Sequence, residues 1–154
     1  MAARAPKILV VDDSSEALAI YADLLGEAGY DVTAAENGVA ALAAMGRRMP
    51  DLVLLDLQMP AMGGLELLDR VRERRATAPP VVAVSGLESL ERAALSRGAR
   101  AFLRKPVQAC DLVAVIDAAL EGVRCAWGEL DATDVLTTAE CSRVSGEHER
   151  PACP

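Results

Sequence analysis

Five polar residues stand where they could act on one another: Asp12 and Asp13, Asp56, Ser85 and Lys105. Asp12 and Asp13 follow the apolar run Ile8 to Val11, and Asp56 follows Leu52 to Leu55. Three carboxylates brought together repel, so such a cluster needs protonation or a cation. Oxygen ligands with room for water suit a hard, octahedral ion such as magnesium. Ser85 would add a hydroxyl and Lys105 an ammonium. A carboxylate nucleophile needs its phosphoryl donor oriented and the developing charge neutralised, which a magnesium ion, a lysine and a hydroxyl supply together. Taken alone, Asp12 and Asp13 read equally well as a cap on the helix that SSEALAIY would begin.

These residues meet only if the elements that carry them end at one edge. Short apolar runs alternate with longer amphipathic ones, the pattern of a parallel sheet with helices on its faces. The spacing predicts strands at Lys7 to Val11, Val32 to Ala35, Leu52 to Leu55, Val81 to Val84 and Ala101 to Leu103. It predicts helices at Ser15 to Ala28, Gly38 to Arg47, Leu65 to Arg75, Leu90 to Arg97 and Gln108 to Val123. Leu65, Leu68 and Val71, like Leu112, Ile116, Ala119 and Val123, recur at three- and four-residue spacing and would lay one face on the sheet. Gly29, Pro50, Pro79 and Pro80, and Gly98 follow the first four helices and stop them. Such a βα repeat forms either a Rossmann-like or a flavodoxin-like sheet, and in both the site lies at the carboxyl ends of the strands. In the flavodoxin-like order 2-1-3-4-5, the strands ending at Asp12 and at Asp56 are neighbours.

Four segments in this order, ILVVDDS, LVLLDLQMPAMGGLELL, VVAVSG and GARAFLRKPV, make the chain similar to the receiver domains of bacterial two-component response regulators. The resemblance spans Lys7 to Gly122. It implies an α/β, flavodoxin-like (βα)5 fold, doubly wound, with a five-stranded parallel sheet in the order 2-1-3-4-5.

The resemblance also implies roles. Asp56 would be the phosphoryl acceptor, and Asp13 would bind Mg2+ directly with Asp12 assisting. Asp56 and the backbone carbonyl of Gln58 would complete the protein ligands. Lys105 would pair with the phosphoryl oxygens and Asp56. Ser85 would be the switch hydroxyl, and Phe102 the switch aromatic that turns inward when the hydroxyl moves. From spacing alone, Phe102 is equally a core aromatic. In similar proteins the side chains at the positions of Gln58 and Leu87 influence how long the phosphoryl group survives. Because apolar Leu87 cannot hold attacking water, a long lifetime is expected here, and decay within seconds would contradict that. Met59 and Met62 read as packing residues.

The resemblance implies a donor, either a sensor histidine kinase or a histidine phosphotransfer protein. It also implies an output face on the fourth helix, fifth strand and fifth helix that acts on a downstream protein. Arg92, Arg97, Arg100 and Arg104 lie in that region. Exposed arginines usually mean only a solvated surface.

Length and composition agree with this reading. The chain has 154 residues, 52% hydrophobic and 25% charged, enough for one globular domain with surplus. The expected organisation is a receiver domain over 1–123 and an acidic tail over 124–154. The tail carries three basic against six acidic residues. Val135, Leu136 and Ala139 suggest a short helix there, followed by an unstructured end. The net charge of −7 argues against nucleic-acid binding. The tail is too short for a DNA-binding effector domain, so the expected type is a stand-alone regulator. No apolar run is long enough to cross a membrane, and no signal sequence opens the chain, so the expected location is the cytoplasm. The cysteines, Cys110, Cys125, Cys141 and Cys153, lack zinc-site spacing and read as reduced thiols. His148, in the tail, reads as incidental.

Two rival readings are weaker. A phosphohydrolase using an aspartyl phosphate, similar to the haloacid dehalogenases, would need Asp-x-Asp after the first strand, where this chain has adjacent aspartates. A phosphorylation-independent interaction module would not need every chemical position filled, as they are here. The expected protein is therefore a signalling phosphoacceptor that catalyses only its own phosphoryl transfer and dephosphorylation.

Overall fold

The computed structural model describes residues 4–60, 62–125 and 136–137. Lys7–Val11 (β1), Asp31–Ala35 (β2), Leu52–Asp56 (β3), Val81–Ser85 (β4) and Ala101–Arg104 (β5) alternate with five helices. These are Ser15–Glu27 (α1), Gly38–Arg47 (α2), Gly64–Arg72 (α3), Glu91–Ser96 (α4) and Ala109–Cys125 (α5). The strands lie parallel, as the alternation predicted, in the order β2-β1-β3-β4-β5 that the family resemblance implied.

Burial follows the pleat. Strands β3 and β4 are buried at every position, the pattern of parallel strands covered on both faces. Ile8, Val10, Leu54, Val84 and Leu103 face α1 and α5, where Leu18, Leu25, Leu112 and Ile116 meet them. Their neighbours Leu9, Val11, Leu55, Ala83 and Phe102 face the opposite way, toward Ala41, Met45, Leu67, Leu68 and Ala94 of α2, α3 and α4. One strand residue thus feeds one core and the next feeds the other. Deleting the buried branch of a leucine such as Leu54 would cost about 2–5 kcal/mol.

Local signals set most boundaries. Ser14 caps α1 by accepting from the Ala17 N–H at 3.2 Å, and Asn37 caps α2 by accepting from Ala40 N–H at 2.8 Å. Gly29 and Gly98 take φ of +94° and +96° just past α1 and α4, a conformation open to a residue without Cβ.

Three expectations are corrected. The third helix ends at Arg72, not Arg75, because Arg75 has a φ of 51°, which a right-handed helix cannot contain, and opens a 3-10 turn over Arg75–Thr77. Leu136 and Thr137, expected in a short helix, form a strand (β6) added in parallel to β5, with Leu136 opposite Ala101 and Thr137 opposite Phe102. An unpaired edge of a parallel sheet offers backbone donors and acceptors, and pairing there overrides weak helical spacing. Cys110 is disulfide-bonded, not a reduced thiol. The remaining tail expectations, including those for His148, Cys141, Cys153 and an unstructured end, lie outside the described residues.

Candidate functional site

The sheet register assembles the site. Val11 pairs with Leu55, so Asp12, one residue past β1, emerges beside Asp56, the last residue of β3. Asp56 is opposite Val84, which places Ser85 one step beyond it on β4. Ser85 is opposite Arg104, and its carbonyl accepts from the Lys105 N–H at 3.0 Å, so Lys105 arrives at the same edge. All five residues singled out from the sequence lie at the carboxyl end of the sheet, the usual place for sites in open α/β folds.

Each aspartate is held differently. Asp12 is buried, and its Oδ1 accepts from the Ser14 N–H at 2.9 Å. Its Oδ2 is buried without a hydrogen-bond partner. Asp56 is also buried, and its Oδ1 accepts from the Gln58 N–H at 3.0 Å. Asp13 is exposed. One oxygen from each of the three lies within 4.8 Å of the others. Since Ser14 makes the cap on α1, the first two aspartates are left for another purpose.

Among the described residues, Lys105 supplies the one ammonium in contact with this cluster, 3.3 Å from Asp56 Oδ2 and 3.7 Å from Asp12 Oδ2. Burial alone would lower its pKa. The charges of Asp56 and Asp12 and the hydrogen bond to Asp56 outweigh that, so the ammonium titrates above the ordinary lysine value of 10.5. One ammonium against three carboxylates leaves the cluster two charges short of neutrality, which is the charge of a divalent cation. The orphaned Asp12 Oδ2 and the all-oxygen donor set fit a hard cation that keeps part of its water shell.

Ser85 is fully buried, with its Oγ accepting from the Leu87 N–H at 3.1 Å. Its hydroxyl donates to Gln58 Oε1 at 3.3 Å. Leu87 itself is 48% exposed and offers no polar side-chain group near the site. Phe102 is only 2% exposed and is packed in the core on the α4 side. In this arrangement the aromatic faces inward.

Two neighbours extend the site: the Gln58 side chain, named from the resemblance only for phosphoryl lifetime, and Tyr21, which the sequence reading missed. The Gln58 side chain joins the site in addition to the backbone group assigned to it. Tyr21, half-buried on α1, senses the same charges: burial first of all, and then Asp12 and Asp56, raise its phenol above the ordinary value, with Lys105 opposing. The available signal for Tyr21 was its spacing of three and four residues from Leu18 and Leu25 on the buried face of α1. At the expected output face the arginines are partly paired, Arg97 with Asp69 and Arg104 with Glu88. Among the described residues, no helix is long and apolar enough to cross a membrane.

The family model of the response regulator receiver domain matches residues 8–117. The nitrogen assimilation regulatory protein NtrX of Azorhizobium caulinodans is 40% identical over 121 residues, covering 76% of this chain and 26% of that protein. The sensor histidine kinase GacS of Pseudomonas protegens is 36% identical over 122 residues, covering 75% of this chain and 13% of that protein. The chain thus spans about a quarter or less of the length of these two relatives. Among solved structures, a CheY-like response regulator receiver domain protein from Methanospirillum hungatei superposes with a TM-score of 0.75 at 31% identity. That match covers 80% of this chain and 99% of the other.

Proposed function

From a chain that belongs to the response regulator receiver family of two-component systems, we propose a phosphorylation switch in which Asp56 accepts a phosphoryl group from a phosphohistidine. The donor is a sensor histidine kinase or a histidine phosphotransfer protein. The observation that carries this reading is the pairing of buried Asp56 with Lys105 at 3.3 Å inside a three-carboxylate cluster.

A carboxylate oxygen of Asp56 forms a bond to phosphorus as the donor's P–N bond breaks, giving an acyl phosphate. The Gln58 N–H on Oδ1 fixes the plane of the carboxylate. Lys105, charged at any physiological pH, stays against the acceptor and takes up phosphoryl charge as it develops. Asp13, Asp12, Asp56 and the backbone carbonyl of Gln58 are the groups that would hold Mg2+, which supplies positive charge facing the phosphoryl oxygens when bound. Ser85 gives its hydroxyl to a phosphoryl oxygen, a contact available only after transfer.

Contacts that exist in one state alone shift the balance between two arrangements. Ser85 pairs with Arg104 across β4 and β5, so a Ser85 shift reaches β5, where Phe102 lies two residues earlier. The face formed by α4, β5 and α5 would then engage a downstream protein. The chain acts in the cytoplasm and catalyses only its own phosphoryl transfer and loss.

Intact-protein mass after incubation with acetyl phosphate, with and without Mg2+, tests this on the native chain and on Asp56→Ala. A magnesium-dependent gain of one phosphoryl group that vanishes in Asp56→Ala supports the switch. A folded protein that gains nothing even from histidine kinases points to a phosphorylation-independent module. Steady release of phosphate from added monoesters would favour a phosphohydrolase.

A further inference from the structure

The Gln58 side chain takes no part in the chemistry above, yet it reaches across the end of β4. Its Oε1 accepts from the Ser85 hydroxyl at 3.3 Å and from the Gly86 N–H at 3.2 Å. The Gly86 N–H can only donate, so the atom facing it is the amide's carbonyl oxygen and not its nitrogen. Gln58 is exposed, and core packing does not impose this pose. The Ser85 hydroxyl has a single hydrogen. While that hydrogen is given to Gln58, it is withheld from any oxygen on Asp56.

We infer that Gln58 is a positioning residue that latches Ser85 and the start of the segment after β4 in the resting arrangement. Phosphorylation of Asp56 must break the Ser85–Gln58 hydrogen bond to draw the Ser85 hydroxyl over. The inference rests on Asp56 being the phosphoacceptor, and adds that a neighbouring side chain, not Ser85 alone, sets the threshold for switching. Stabilising the resting arrangement lowers the apparent affinity for anything at Asp56 that requires Ser85 to move.

The test uses the full chain, with Mg2+ and beryllofluoride as the phosphoryl mimic, and compares native protein with Gln58→Met, which keeps the length and removes the acceptor. Beryllofluoride should bind Gln58→Met about three- to tenfold more tightly, the range expected for losing modest hydrogen bonds in the resting state. In a Ser85→Ala background the same substitution should change affinity by less than about twofold, because the latch then has no hydroxyl to hold. Equal gains in both backgrounds would show that Gln58 acts on access or water instead, and overturn the inference. So would unchanged affinity in Gln58→Met.

A second readout needs no phosphoryl mimic. In metal-free protein the Gly86 and Leu87 amide resonances should move in Gln58→Met and hold their native positions in Gln58→Glu, whose carboxylate still accepts. Unmoved resonances in Gln58→Met overturn the latch whatever the acceptor chemistry. Failure of native protein to bind beryllofluoride, with resonances that do move, overturns the acceptor reading while the latch stands as a feature of the resting fold.

Discussion

Lys105 Nζ stands 3.3 Å from Asp56 Oδ2, although forty-nine positions separate the two residues in the chain. The pair is bridged by sheet register: β4 lies between β3 and β5, and Asp56 ends β3 at the same edge where Lys105 follows the last residue of β5. The contact raises the lysine pKa above 10.5 despite opposing burial. A group whose folded pKa is raised contributes stability that is complete below the unfolded value and is lost as pH rises through the folded one. The stability difference between native protein and Lys105→Met, read from urea denaturation, should therefore stay level between about pH 7 and 10 and shrink above that. A difference that shrinks already near neutral pH would mean that the ammonium loses its charge in the fold.

The crowding of Asp12, Asp13 and Asp56 within 4.8 Å predicts a response to divalent cations. A cation that binds the folded chain and not the unfolded one raises thermal stability as its concentration exceeds the dissociation constant, by about 2.7 kcal/mol at a hundredfold excess. Mg2+ titrated into native protein should raise Tm by several degrees. Asp13→Asn, an exposed change that costs the fold little, should lose most of that rise. Equal shifts in both proteins would place the cation elsewhere.

Much of this was legible because the informative signals are local. Asp12, Asp56, Ser85 and Lys105 each sit at the end of a short apolar run, and strand ends of a parallel βα fold converge. Gly29 ends the first helix by capping chemistry that four or five residues suffice to encode, whereas the cap at its start is Ser14 and not Asp12 or Asp13. What escaped depends on partners distant in sequence. The strand at Leu136–Thr137 exists through pairing with β5, and two residues carry no period from which to predict it. The disulfide at Cys110 requires proximity that spacing does not report. An exposed glutamine after Asp56 could point anywhere, and its contact with Ser85 becomes visible only once β3 and β4 are side by side. The left-handed backbone at Arg75 has no glycine to announce it.

The disulfide makes a countable prediction. Denatured without reductant, the protein should show no more than two free thiols of its four cysteines, and all four after reduction. Cys110 and Cys125 lie near opposite ends of one helix, about 22 Å apart at 1.5 Å per residue, against about 5.5 Å for bonded cysteines. Non-reducing peptide mapping is therefore expected to show Cys110 in a bond to a cysteine other than Cys125. Four free thiols before reduction would refute the bond.

Two glycines near the site should respond very differently to alanine. A Cβ on Gly64 would stand 2.4 Å from Leu57 Cα and 2.6 Å from the Asp56 carbonyl oxygen, both main-chain atoms next to the acceptor. Neither can yield without moving the turn that follows β3, so Gly64→Ala should cost about 1–3 kcal/mol and disturb Asp56 itself. A Cβ on Gly38 would meet Met62, at 2.5 Å from Sδ and 2.9 Å from Cβ. Beyond Cβ that side chain is unbranched and can turn aside, so only a small shift of the loop at Met62 is needed to clear its Cβ, and alanine is the better helix former at the start of α2. Gly38→Ala should therefore lose less stability than Gly64→Ala and keep phosphoryl acceptance near native. Chemical denaturation and the acetyl phosphate mass shift, measured on both variants, check the ranking. If Gly38→Ala were the more damaging, Met62 would be fixed in place more firmly than an unbranched side chain should be.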